Sequence, residues 1–294
     1  MGREGAGARA ARVRATDSHR RKNRHCAALA PDRPTLAAPA LHMSPGTNPR
    51  RPRRPSAAPA RVPGQRGRRL GGHGARGTTM ATMTPDEVRA CMRAAPHPLP
   101  APPAWLRPER LPGGMPVERP AAPPGARPAA ALVLVYPGLR GEAMLVLTER
   151  VDYEGDHSGE VSLPGGKVDP GDADAAATAL REAWEEVGLD ARWAGVEVIG
   201  RLDALWIPPS NFRVEPIVAI AARRPVFVAD PREVAAILEA PVTAFLPDVA
   251  PVIIDPDPHG RPLRYGAYLV DGRIVWGATA SILGQFGAVL GTVR

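Results

Sequence analysis

Cysteine, lysine and aromatic residues are scarce in this chain of 294 residues. The two cysteines, Cys26 and Cys91, are too few for a disulfide framework or a cysteine metal cluster. They suit a reducing compartment, so a cytoplasmic location is expected. Aromatic residues make up 4% of a chain that is 44% hydrophobic, so a core must be built from Ala, Val, Leu and Ile. No apolar run approaches the roughly 20 residues of a membrane span. The longest, 129–136, has the length of a strand. The opening Met1-Gly2-Arg3-Glu4-Gly5 leads into no apolar stretch, so no secretory signal is expected. A membrane protein, a secreted disulfide scaffold and a coiled coil are thereby excluded.

Glycine (30), proline (36) and arginine are abundant and unevenly spread. Residues 1–79 hold 18 Lys+Arg against 3 Asp+Glu, and residues 80–294 hold 20 against 27. The net charge of +8 therefore describes neither part. Residues 1–79 have no hydrophobic period and are expected to be disordered, because they cannot bury enough apolar area to offset chain entropy. Three readings of this segment stay open: a basic arm for nucleic acid, an Arg-rich organellar transit peptide, or sequence upstream of a true start at Met80 or Met83. The last is favoured, since use of Arg over Lys throughout fits a GC-rich coding bias. Nucleic acid is accordingly not expected as a partner.

Three regions are expected: 1–79, disordered; 80–128, a short helix and proline-rich segment; and 129–290, a folded domain. Thr84-Pro85-Asp86-Glu87 reads as a helix start, with Thr as cap and Pro first inside. Prolines from Pro96 onward mark an extended linker or wrapping segment. Strands are expected at 131–136, 143–148, 195–203, 213–221, 265–270 and 273–276, and helices at 174–187, 231–238 and 278–290. Their irregular alternation points to a mixed sheet with helices on its faces.

The helix at 174–187 carries the chemistry. At about 100° per residue, Arg181, Glu185, Glu182 and Glu186 fall near 0°, 40°, 100° and 140°, on one face. Ala176, Ala179, Leu180, Ala183 and Val187 supply the opposite side. Three carboxylates on one face repel unless a positive group lies among them, and a hard divalent cation is the natural partner. A solvated acidic face is the alternative. The preceding stretch, Gly159 to Asp172, is a Gly/Pro-rich loop of the kind that lets backbone approach phosphate or metal.

This stretch strongly resembles the Nudix hydrolases, whose signature is a Gly, an acidic residue, then Arg-Glu-x-x-Glu-Glu-x-Gly. The matching positions are Gly166, Asp172, Arg181, Glu182, Glu185, Glu186 and Gly188. The interval from Gly166 to Arg181 is one residue longer than the general box, and the acidic position is Asp. Both features resemble the coenzyme A diphosphatase branch. So do Leu147-Thr148-Glu149-Arg150, His157-Ser158-Gly159, Leu163-Pro164-Gly165-Gly166, Ser210-Asn211-Phe212-Arg213-Val214 and Trp276-Gly277-Ala278-Thr279-Ala280. The likeness spans about residues 129–290. This chain differs from the branch at Val151, at Leu163 and at Gly155, where a second Arg is usual.

The resemblance implies an α/β fold, a Nudix-type α/β/α sandwich with a mixed sheet. It implies Mg²⁺ or Mn²⁺ held by Glu182, Glu186 and Glu185 with the Gly166 carbonyl. Catalytic roles fall to Glu185, Arg181 and Glu182. Substrate contacts are expected from Arg150, His157 and Phe212; Glu233 is a weaker candidate base. The implied partner is a small nucleotide diphosphate, coenzyme A or its thioesters foremost. ADP-ribose, NADH or a dinucleotide remains a second reading, and a non-catalytic nucleotide sensor a third.

Overall fold

A computed structural model describes residues 82–118, 120–151, 159–255 and 261–292, so expectations for 1–79 and for Gly155 and His157 lie outside the described residues. The chain enters through α1 (Pro85–Arg93), a 3₁₀ turn at Ala104–Leu106 and two short strands, β1 (Glu109–Arg110) and β2 (Met115–Pro116). Next come β3 (Arg127–Pro137), β4 (Ala143–Arg150), β5 (Val161–Ser162) and β6 (Gly165–Lys167). Helix α2 (Ala175–Val187) and the single turn α3 (Ala191–Ala194) lead to β7 (Val196–Arg201), β8 (Leu205–Ile207) and β9 (Phe212–Ala221). The chain ends with β10 (Val234–Pro241), β11 (Val252–Ile254), β12 (Leu263–Val270), β13 (Arg273–Val275) and α4 (Gly277–Gly291).

The main sheet runs β10-β4-β3-β9-β7, with β5 on β4, β6 on β3 and β8 on β9. β3 and β9 are parallel and the other pairs antiparallel, so the sheet is mixed. Residues 129–136 of β3 are buried on both faces, which explains an apolar run without alternation. Leu132, Leu134 and Tyr136 pack with Ala179, Ala183 and Val187 of α2. Val133 and Val135 face the opposite layer, with Val88 of α1 and Leu283 and Phe286 of α4. This is the expected α/β/α sandwich. A smaller sheet, β11-β12-β1-β2 with β13 on β12, involves the segment after α1. Met83, Val88, Cys91 and Leu106 join the main core, so this segment wraps the domain.

Thr84 closes a capping box with Glu87, as its spacing foretells. One expectation is overturned. Residues 231–238 are not a helix: 234–241 form β10, paired along β4 from Val234↔Arg150 to Pro241↔Met144. The Ala-rich text favours a helix locally, but β4 offers an open edge, and sheet pairing overrides propensity. No helix among the described residues is long and apolar enough to cross a membrane.

One buried polar clamp ties three elements together. Gln285 of α4 accepts from the Asp203 backbone N–H at 3.0 Å, and its amide donates to the Asp203 carboxylate at 2.7 Å and to the Pro100 carbonyl at 3.3 Å. Replacing it with Leu keeps the volume but strands these partners. Gln285→Leu is expected to lower unfolding free energy by about 1–3 kcal/mol, read from urea denaturation. An unchanged midpoint would show that the clamp contributes nothing.

Candidate active site

Helix α2 starts at Asp174, whose carboxylate accepts from the Ala177 N–H at 2.8 Å, and stops at Gly188 in the left-handed region, φ 66°. Its apolar side lies on β3, so the polar side faces out beside β6. Ahead of it, Gly165 and Gly166 pair with Ala131 and Ala130. A Cβ at Gly166 would overlap the Glu182 carboxylate, so any other residue there would push that side chain out of its place.

Arg181 is the hub. Its Nε and Nη2 donate to the two Asp172 oxygens at 3.0 and 2.9 Å, a bidentate pair. Nη1 donates to Glu182 and Glu185, both at 3.0 Å, and Nη2 reaches the Lys167 carbonyl at 3.1 Å. Asp172 also accepts from Thr178 at 2.8 Å and from the Asp169 N–H at 2.9 Å. The Arg181 bonds hold the Asp172 carboxyl well below the usual carboxylate range. With its donors so committed, Arg181 serves to position the carboxylates.

Glu186 is buried, 4% exposed, and among the described residues its one hydrogen-bond donor is the Gly165 N–H at 3.3 Å. Burial pushes its carboxyl up to about 7; the Arg150 charge and the Gly165 N–H oppose that shift, and Glu182 and Glu233 add to it. Burial also raises Glu182, against the pull of Arg181. Glu185 is half exposed. Among the described residues, no three acidic, His or Cys side chains already converge on one point. Arg181 draws Glu182 and Glu185 to itself, while Glu186 turns toward Gly165. The donor set nevertheless fits a hard cation: three carboxylates and close backbone, one carboxylate buried with little to offset its charge.

The structure brings Arg150 to this group, since its charge acts on Glu186 from the end of β4. It also brings Glu233, which the sequence reading places at a helix start. The Asp230 N–H donates to the Glu186 carbonyl at 2.9 Å, and the Val151 N–H donates to the Glu233 carbonyl at 3.1 Å. These bonds fasten the loop before β10 to both α2 and β4. No local sequence signal reports that closure. Phe212 is not brought in. Its neighbour Val214 and its own ring belong to the α1/α4 layer, and the ring lies under Arg127, 4.1 Å from guanidinium to centroid.

Residues 126–244 match the NUDIX domain model. The Yersinia enterocolitica protein called uncharacterized Nudix hydrolase NudL is 37% identical over 155 residues, covering 52% of this chain and 77% of that protein. The chain belongs to the Nudix hydrolases. Two Arabidopsis thaliana relatives, Nudix hydrolase 22, chloroplastic, and Nudix hydrolase 15, mitochondrial, are 37% and 35% identical. The chain spans about half of their length, 55% in each case. A solved Nudix hydrolase from M. smegmatis, RenU, is 23% identical, with a TM-score of 0.34 over 46% of this chain and 78% of that one. Nudix hydrolases generally use divalent metal ions, which accords with the donor set on α2.

The raised Glu186 carboxyl has a consequence for stability. Below pH 4 both folded and unfolded chains carry the proton, and the group has no effect. As pH rises through 4.5 toward 7, the unfolded chain ionises first, and the buried carboxyl opposes folding by up to about 3 kcal/mol. With chelator present, wild type is expected to lose more thermal stability between pH 5 and pH 8 than Glu186→Gln. Mg²⁺ or Mn²⁺ is expected to restore it at pH 8 in wild type alone. Parallel pH profiles for the two proteins would contradict this assignment.

Proposed function

We propose that this Nudix hydrolase cleaves the diphosphate bond of coenzyme A or its thioesters, giving 4′-phosphopantetheine, or its acyl form, and adenosine 3′,5′-bisphosphate. The observation that carries the hydrolase part is the α2 face: Arg181 bonded to Asp172, Glu182 and Glu185, beside a buried Glu186. A nucleotide sensor has no use for three mutually repelling carboxylates held this way. The coenzyme A part is supported by the likeness of 147–150, 163–166, 210–214 and 276–280 to that branch.

In this reading Glu182 and Glu186, with Glu185 and the Gly166 carbonyl, hold Mg²⁺ or Mn²⁺. Such an ion would neutralise non-bridging oxygens and lower the pKa of a bound water. Glu185, the most exposed of the three, takes the water's proton, and Arg181 orients it. Glu182 is shared between holding the ion and shaping the site. Arg150 meets a diphosphate oxygen and His157 remains a proposed substrate contact, whereas Phe212, on the opposite face of β9, drops out of the set. The second reading, ADP-ribose, NADH or a dinucleotide, is favoured by one feature, Gly155 standing where the branch has Arg.

The test is turnover of coenzyme A, acetyl-coenzyme A, ADP-ribose, NADH and dinucleoside polyphosphates with Mg²⁺ or Mn²⁺. Coenzyme A is expected to have the highest kcat/KM. Glu185→Gln is expected to lower kcat by about 10²–10⁴-fold, the usual worth of a general base, with KM little changed. Preference for another nucleotide would replace the substrate and keep the chemistry. Absence of metal-dependent turnover with tight binding retained would favour the sensor.

A further inference from the structure

We infer that a cleft at the β7–β8 margin of the main sheet, two strands from Gly166, binds a phosphomonoester carried by the nucleoside half of the substrate, with Arg213 as its main contact. The inference rests on the diphosphatase reading and adds to it a specificity site. The cleft has a volume of about 320 Å³, at the small end for ligand pockets, and Arg201, Asp203, Arg213 and Glu215 line it with His97 and Leu99.

Sheet register places it. Ala130 of β3 pairs with Gly166 on one side and with Glu215 on the other. Residues paired across strands project to the same face, and Ala130 lies in the layer beneath α2. Glu215, and Arg213 two residues before it, therefore stand on the face that α2 occupies. They lie two strand spacings from Gly166, about 10 Å. A ribose with its attached phosphate bridges that interval from a diphosphate held at Gly166. His97 and Leu99, from the segment after α1, close the far side.

Among the described residues, the charges of the cleft leave Arg213 without a counter-charge. Glu215 is neutralised by Arg201, Nη1 to Oε1 at 2.9 Å. The Asp203 carboxylate is turned to the buried Gln285 amide at 2.7 Å. Arg213 is exposed and makes no ion pair or side-chain hydrogen bond with the described residues. Its planar fork of donors suits the oxygens of a terminal phosphate. Leu99, Leu202 and Ala204 leave an apolar wall for the sugar edge.

The test is binding of two uncleavable probes, adenosine 3′,5′-bisphosphate and AMP, to the full chain by calorimetry with Mg²⁺ present. Wild type is expected to bind the bisphosphate at least tenfold tighter than AMP. Arg213→Ala is expected to abolish that preference, and Arg213→Lys to recover part of it, with melting curves reporting that both variants fold. Equal affinity for the two probes in wild type overturns the inference. So does a bisphosphate that does not bind at millimolar concentration, or a preference that survives Arg213→Ala. Coenzyme A turnover is read separately: a preference for the bisphosphate without that turnover would sink the substrate reading and leave the phosphate site standing.

Discussion

A single guanidinium organises the chemistry-bearing face of this protein. Glu182, Glu185 and Glu186 project from one side of α2, and left to themselves three carboxylates there would repel. Arg181 sets its charge among them and spends its remaining donors on Asp172 and the Lys167 carbonyl. The same residue thus fastens the glycine-rich loop to the helix and fixes two of the acids. The bidentate bond to Asp172 also makes Arg181 unsuited to substitution by Lys, whose ammonium has no fork to match it.

Everything around this contact serves to hold it in place. The apolar side of α2 is pressed on β3, a strand buried on both faces. β6 pairs with the first half of β3 and carries Gly166 up to Glu182. The loop before β10 is tied to the end of α2 and to the end of β4. The result is a graded set of carboxyls. Asp172 is held ionised by Arg181, Glu185 is half in water, and Glu186 is buried and reluctant to ionise. A cation with oxygen ligands would relieve that reluctance, which links the stability of the fold to the chemistry of the Nudix site.

Much of this was legible in the residues. The four α2 side chains share a face because of helical period alone, and the Thr84 cap, the Gly188 stop and the long strands β3 and β9 follow from local rules. What was not legible depends on pairing between distant segments. The stretch 231–238 reads as a helix because its alanines carry no strand signal, and only the free edge of β4 puts 234–241 into β10. Glu233 approaches Glu186 through backbone bonds that join residues more than 40 positions apart. Phe212 looks like a pocket residue until register shows which face of β9 it occupies; the alternation Phe212-Arg213-Val214-Glu215 puts it opposite the two charged residues but does not say which face meets α2. Arg213, its neighbour on the other face, lies in the 210–214 stretch already read as branch-like, but only the sheet register shows that it stands on the face α2 occupies.

The central claim is that Asp172 and Arg181 act as one unit in positioning the acids. A double-mutant cycle on metal-dependent turnover measures this directly, with Asp172→Asn, Arg181→Lys and the double variant compared in kcat. Each single change is expected to lower kcat by about 10-fold or more, a barrier cost above about 1.4 kcal/mol, and the double variant to be little worse than the weaker single. Losses that simply multiply in the double variant would mean that the two residues act independently, and that the Arg181 bonds do not organise the site.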